Sequence, residues 1–213
     1  MTFAEFEKQI VKIGKMELPG EEAHLKMAPI ERLLELKQKA RDAKTAKHAG
    51  VMVLFYPSVE NEARLILILR KTYKGVHSAQ VGFPGGKQEP DDKSMDRTAL
   101  RETEEEIGVP QDSVLILKSL TEIYIPPSNF FVQPYLGIIH KTPEFVPQKD
   151  EVEALIEVSV SHFMDDAIEI TKKLSTSYAT DIDVPAYLLN GHIVWGATAM
   201  MLSEVRQILK QIL

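Results

Sequence analysis

Residues 83–109, FPGGKQEPDDKSMDRTALRETEEEIGV, join a Gly-Gly turn through a polar linker to a helix-forming run that carries Glu102, Glu104, Glu105 and Glu106 within five positions. Gly108 and then Pro110 follow the run in the order expected at a helix C-terminus. At about 100° per residue, Ala99, Leu100, Thr103 and Ile107 share one arc, with Met95 at its margin, and that arc is the predicted buried face. Glu102, Glu105 and Glu106 fall together on the adjoining flank, a patch about 100° wide, whereas Glu104 points away from it.

Such a patch works against the helix that carries it. Like charges at the i, i+4 spacing of Glu102 and Glu106 cost roughly a few tenths of a kcal/mol, and acids in a last turn oppose the helix dipole. Two readings follow. One is a solvated acidic face, the usual fate of a charge run. The other is a site for a hard divalent cation, which prefers carboxylate oxygens and is commonly shared with substrate phosphates. Gly85 and Gly86, just ahead of the helix, favour the second reading because the backbone there can approach a ligand closely. Arg101, beside Glu105 on the helical wheel, either orients an acid by ion pairing or forms a plain surface pair.

Upstream, "GVMVLFYP" and "ARLILILRK" are short, apolar and β-branched, and the polar "SVENE" between them predicts two strands joined by a turn. The Gly- and Pro-rich stretch from Thr72 to Asp92 reads as loop. At the N-terminus, Phe3, Phe6, Ile10 and Ile13 have helical spacing, and a second helix is predicted from Pro29 to Asp42, with a loop between the two. Downstream, strands are predicted at 113–125, 130–140 and 153–160, then a short helix capped by Ser161. A hairpin turning at Asn190-Gly191 and a final amphipathic helix from Ala197 to Ile212 complete the chain. Strands and helices mix rather than alternate, which predicts an α+β fold, an α/β/α sandwich built on a mixed sheet. Residues 1–48 read as a helical lead-in and 49–213 as the core, one domain in all.

The chain has 213 residues, 44% hydrophobic and 26% charged, values of an ordinary globular protein. Its formal charge of −6 argues against indiscriminate nucleic-acid binding, so an anionic substrate needs metal ions or a local basic patch. The absence of cysteine removes disulfides, thiolate metal sites and cysteine nucleophiles, and fits a reducing compartment. The first ten residues lack a basic region followed by an apolar one, and no apolar run reaches membrane-spanning length, so the expectation is a cytoplasmic protein without a membrane partner.

The segment from Gly85 to Val109 resembles the signature of Nudix hydrolases, G-x5-E-x7-R-E-U-x-E-E-x-G-U with U an apolar residue. Arg101, Glu102, Glu105, Glu106, Gly108 and Val109 match its second half in register, with Thr103 at the first U. The first half departs, because fourteen residues rather than thirteen separate Gly86 from Arg101 and Asp92 takes the central glutamate position. That expansion is typical of a branch resembling coenzyme A pyrophosphatases, which also carries G-Q-V-x-F-P-G-G after a strand ending near an Arg. Here "AQVGFPGG" and Arg70 correspond, with Ala79 in place of a Gly and Gly75 where the branch has an Arg. "YIPPSNFFVQPYLG" and "IVWGATAMMLSE" extend the likeness to roughly residues 45–210.

The resemblance implies attack of water on a nucleoside diphosphate linked to another group. It implies that Glu102, Glu105 and Glu106 hold Mg²⁺ or Mn²⁺, with the Gly86 carbonyl as a further ligand, and that Arg101 orients the acids. The general base is then Glu151, in the loop before a strand, or Glu105 itself. The implied substrate is coenzyme A-like, with Arg70, Lys71, Lys74 and Lys87 as candidate cations for its phosphates and Ser128 and Asn129 as further contacts. Tyr187 and Trp195 are either adenine-stacking rings or core residues. ADP-ribose or another nucleoside diphosphate derivative is the alternative substrate, a non-catalytic nucleotide sensor the alternative function, and a homodimer the candidate assembly.

Overall fold

The computed structural model describes residues 1–29, 45–71, 80–174 and 181–213. The predicted helix from Pro29 to Asp42 falls almost wholly outside the described residues, as do Lys74, Gly75 and Ala79.

The two apolar runs form β1 (Lys47–Pro57) and β2 (Ala63–Arg70), an antiparallel pair. Both are apolar almost without alternation because both faces are covered. Val53 and Phe55 of β1 and Leu65 and Leu67 of β2 enter one core, while Met52, Leu54, Ile66 and Ile68 enter a second. Within the Gly- and Pro-rich stretch lie two strands too short to show a period, β3 (Val81–Gly82) and β4 (Gly85–Lys87). β3 pairs with β2 and β4 with β1, so one bent segment is shared between neighbouring strands.

The acidic helix α3 (Met95–Ile107) packs over β1 and β4, with Gly108 left-handed at its C-cap, φ 75°. Then come β5 (Leu115–Ser119), β6 (Ile123–Ile125), β7 (Phe130–Ile138) and β8 (Val152–Ser159). Among the described residues these strands make one sheet with the central order β3-β2-β1-β7-β5, to which β4, β6 and β8 add as partners of β1, β7 and β2. The β1–β7 pair is parallel and the others are antiparallel, so the sheet is mixed as predicted.

The short helix α4 (Val160–Phe163) starts two residues earlier than expected, because Ser159 rather than Ser161 caps it by accepting from the His162 N–H. β9 (Glu169–Leu174), β10 (Ile182–Leu189) and β11 (His192–Trp195) form a second antiparallel sheet. Its hairpin turns at Asn190 and Gly191, both with positive φ, as the sequence predicts. β9 escapes sequence reading because "EITKKL" is polar and mostly exposed.

Helix α1 (Phe3–Ile10) has a reciprocal cap between Thr2 and Glu5, and its buried Phe6 ring lies 4.9 Å from that of Phe55. The segment predicted as loop after it contains a short helix, α2 (Glu21–Leu25), docked on the last helix, α5 (Gly196–Ile212). What holds α2 is buried Glu204 of α5, which contacts His24 Nε2 at 3.3 Å and accepts from the Thr121 N–H at 3.1 Å. Helices α1 and α5 thus cover one face of the large sheet and α3 the other.

Close approach of α3 to the sheet depends on Gly50. A Cβ at that position would lie 2.5 Å from the Met95 carbonyl oxygen and 3.0 Å from the Ala99 nitrogen, both backbone atoms that cannot swing aside. Gly50→Ala is therefore expected to destabilise the fold by about 1–3 kcal/mol, measured as a lowered urea midpoint.

Candidate active site

Three of the four glutamates of α3 sit on one flank, but in graded environments. Glu106 is 1% exposed, Glu102 is half-buried and Glu105 is exposed. The gradient follows from the crossing of α3 over the sheet, which drives the Glu106 side chain down between β2 and the Gly-Gly turn. There it accepts a hydrogen bond from the Gly85 N–H at 2.8 Å and another from Arg70 Nη2 at 3.2 Å. Glu102 lies directly over Gly86, where a Cβ would overlap its carboxylate. A side chain at this second glycine would therefore push the Glu102 carboxylate out of its place.

Arg101 ties this arrangement together. Its guanidinium donates to both carboxylate oxygens of Asp92 at 3.0 Å, to Glu105 at 2.8 Å and to the Lys87 carbonyl at 3.2 Å, and it pairs with Glu102 at 3.0 Å. Asp92 in turn accepts from the Glu89 N–H and the Thr98 hydroxyl, each at 2.9 Å. The Arg101 bonds hold the Asp92 carboxyl well below the usual carboxylate range, and the Asp92 bonds raise the Arg101 guanidinium above its ordinary value. The sequence flags Asp92 only as a departure from a motif; the structure makes it the anchor of the arginine. Thr98 lies outside the predicted buried arc and is nevertheless fully buried, because it closes this network.

Glu151 sits just ahead of β8, where its carbonyl accepts from the Lys71 N–H at 2.9 Å. The segment leading to it is stapled to the end of α3, with the Val146 N–H donating to the Ile107 carbonyl and the Gln148 N–H to that of Glu106, both at 2.9 Å. The Glu151 charge acts on both Glu102 and Glu106. Burial pushes the Glu106 carboxyl up to about 7; Arg70 and the Gly85 N–H oppose that rise, and the charges on Glu102 and Glu151 add to it. Burial also raises Glu102, with Arg101 pulling it back and Glu105 and Glu151 adding to the rise.

Of the residues expected to take part, Arg70, Gly86, Lys87, Arg101, Glu102, Glu105, Glu106 and Glu151 belong to this one end of the sheet. Arg70 is paired with Glu106 rather than standing free for a substrate. Ser128 and Asn129 form the turn between β6 and β7, where Ser128 donates to the Ile125 carbonyl and Asn129 to that of Thr45. Tyr187 is 2% exposed and packs edge-on against Phe163, a core position.

Among the described residues, no three His, Asp or Glu side chains converge closely enough to form a finished coordination shell. Arg101 draws Glu105 aside and Arg70 neutralises part of Glu106. The donor chemistry nevertheless fits a divalent cation. Glu102 and Glu106 offer hard oxygen donors that burial keeps raised, with the charge on Glu151 adding to the rise, a shortage of positive charge that such an ion relieves.

A pH effect on stability follows. Glu106 has a folded pKa of about 7 against an ordinary value of 4.5, so folding is penalised as pH rises through that interval and the penalty is complete above it. Without divalent ions the Glu106 contribution costs up to about 3 kcal/mol at pH 8 relative to pH 4.5. Adding Mg²⁺ at pH 8 is expected to recover much of it, and Glu106→Gln to flatten the dependence, both read from urea midpoints.

A NUDIX domain model matches residues 46–174, a span that includes the turn, α3 and Glu151. The chain belongs to the Nudix family. It is 31% identical over 182 residues to the uncharacterized Nudix hydrolase NudL of Yersinia enterocolitica, covering 82% of this chain and 87% of that protein. The NudL of Yersinia pestis is 32% identical over 149 residues, 68% of this chain and 72% of its own. Among solved structures, the Nudix hydrolase RenU of M. smegmatis superposes with a TM-score of 0.53 at 13% identity, covering 79% of this chain and 88% of that one. A MutT/nudix family protein from Enterococcus faecalis gives a TM-score of 0.53 at 18% identity over 92% of this chain and 76% of its own. This Nudix chain is thus a pyrophosphohydrolase with the mixed sheet and flanking helices of its family. Among the described residues no helix is long and apolar enough to cross a membrane.

Proposed function

We propose that this Nudix enzyme hydrolyses the diphosphate bond of coenzyme A or its thioesters, giving 4′-phosphopantetheine or its acyl form and adenosine 3′,5′-bisphosphate. The observation that carries the reading is the Asp92–Arg101 pair. The loop between Gly86 and Arg101 is one residue longer than the general signature, and its Asp is fully engaged by the signature arginine. The departure is therefore a working variant, and it is the one typical of the coenzyme A pyrophosphatase-like branch. "AQVGFPGG" and Arg70 agree with that branch. The catalytic unit is residues 49–213, with 1–48 as a supporting lead-in.

In this reading Glu102, Glu105 and Glu106, with the Gly86 carbonyl, hold Mg²⁺ or Mn²⁺. A bound divalent ion neutralises the diphosphate and lowers the pKa of coordinated water. Arg101 keeps the acids of α3 at a fixed height over the turn, so little reorganisation is needed as charge develops on the phosphoryl group. Arg70 donates to Glu106, which also accepts from the Gly85 N–H. Glu151, on a segment stapled to α3, is the candidate to accept the proton of the attacking water, with Glu105 as the other carboxylate in reach of that role. Lys87, exposed at the end of β4, faces solvent where substrate phosphates would arrive.

The test is product analysis of the purified protein with Mg²⁺ and with Mn²⁺, against coenzyme A, acetyl-coenzyme A and ADP-ribose. Release of adenosine 3′,5′-bisphosphate from the first two, faster than AMP from ADP-ribose, supports the assignment. Preferential cleavage of ADP-ribose overturns the choice of substrate. No turnover of any diphosphate, with tight binding of one, overturns the enzymatic reading itself.

A further inference from the structure

The sheet register places a second cation beside Lys87 that the signature does not contain. Strands β1 and β7 run parallel, while β2 and β4 run opposite to β1, so Arg70, Lys87, Lys47 and Phe130 all lie at one end of the sheet. Lys47 is opposite Phe130, and Ala49 is opposite both Lys87 and Val132. Side chains alternate along a strand and cross-strand partners share a face, which puts Lys47, Lys87, Ala49, Phe130 and Val132 on one face. Ala49 and Val132 join the core beneath α5, so this is the α5 face of the sheet. The α3 face is marked by Gly50 under Met95 and by His48 stacked on Phe131.

Lys47 and Lys87 are exposed, and the Lys47 ammonium sits 5.9 Å from the centre of the half-buried Phe130 ring. A cation over a ring face is held in place at small cost and remains open on its outer side. Lys47 is three residues, about 10 Å, along β1 from Gly50, the partner of Gly86 under Glu102. A nucleoside with its diphosphate at the carboxylates spans a comparable distance. Glu122 contacts His48 on the opposite face, and Glu89, which follows Gln88 bonded to the His48 carbonyl, is exposed at the same end of β1. Arg70 is engaged with Glu106 and the Gly85 carbonyl, so it is a poor candidate for the same task.

We propose that Lys47, held over Phe130 and acting with Lys87, grips a phosphate monoester on the sugar of the substrate and so selects nucleotides that carry one. This rests on the site at the carboxylates being the diphosphate site, and it names the group that distinguishes coenzyme A from its dephosphorylated form.

The test is calorimetric binding of adenosine 3′,5′-bisphosphate and of AMP to the whole protein in Mg²⁺, together with KM for coenzyme A and dephospho-coenzyme A. The wild type is expected to favour the bisphosphate and coenzyme A by about tenfold. In Lys47→Ala that preference falls toward one, and in Lys47→Glu it inverts. Lys93→Ala, at an exposed lysine in the loop before α3, retains it. Equal binding of the two nucleotides by the wild type, or a preference undiminished in Lys47→Ala, overturns the inference. If coenzyme A is not cleaved but the bisphosphate preference is present and depends on Lys47, the grip stands and the coenzyme A assignment fails.

Discussion

Glu106→Gln is expected to lower turnover by about 10²–10³-fold while leaving the protein folded, because the substitution removes a charge from the reaction centre and keeps its volume. The amide oxygen can still accept from the Gly85 N–H, so the Gly-Gly turn keeps its contact with α3. Stability at pH 8 should hold or rise, since the carboxyl that burial pushes up to about 7 is no longer there to be ionised. Steady-state rates paired with urea unfolding check both parts. Glu105→Gln should also cost orders of magnitude in turnover, because it removes a second charge from the same flank of α3, one paired with Arg101. Near-normal rates in both variants would count against the metal-carboxylate reading of α3.

Asp92→Ala is expected to damage both stability and rate. The aspartate receives two bonds from Arg101, one from Thr98 and one from the Glu89 N–H, and its side chain is only 7% exposed. Removing one member of so enclosed a pair costs about 3 kcal/mol, chiefly from the charge left without its partner. Arg101 would then have only Glu102 and Glu105 as carboxylate partners, and would compete with the cation for them. The rate should fall by about tenfold or more, and Asp92→Asn should recover stability in part, since the amide keeps one acceptor. The sign of the pH dependence is opposite to that of Glu106. A carboxyl depressed by folding stabilises above its unfolded value and loses that contribution as pH falls through the folded one, so acid unfolding of the wild type should be steepest below about pH 4. A denaturation series from pH 3 to 8 on wild type and Asp92→Ala separates the two residues.

The strand pair β1–β2, α3 with its glycine stop, and the Asn190-Gly191 hairpin were legible because each is announced by local chemistry. So was the gathering of Glu102, Glu105 and Glu106 on one flank, which needs only the helical repeat. β3 and β4 were read as loop because strands this short have no period to show, and they exist only through their pairing with β2 and β1. α2 is held by Glu204, some 180 residues away, and no local pattern carries such a contact.

The sequence by itself determined which side chains share a helical flank, where the backbone may bend, and that anions are concentrated at one place, since all of these depend on spacing within a few residues. Only the tertiary structure decided that Glu106 is buried and Glu105 is not, that Arg70 holds Glu106, that Asp92 anchors Arg101, and that Lys47 shares a face with Lys87. Burial and charge pairing are set by how α3 crosses a sheet whose neighbouring strands are far apart in the chain, and a one-dimensional pattern does not contain that crossing.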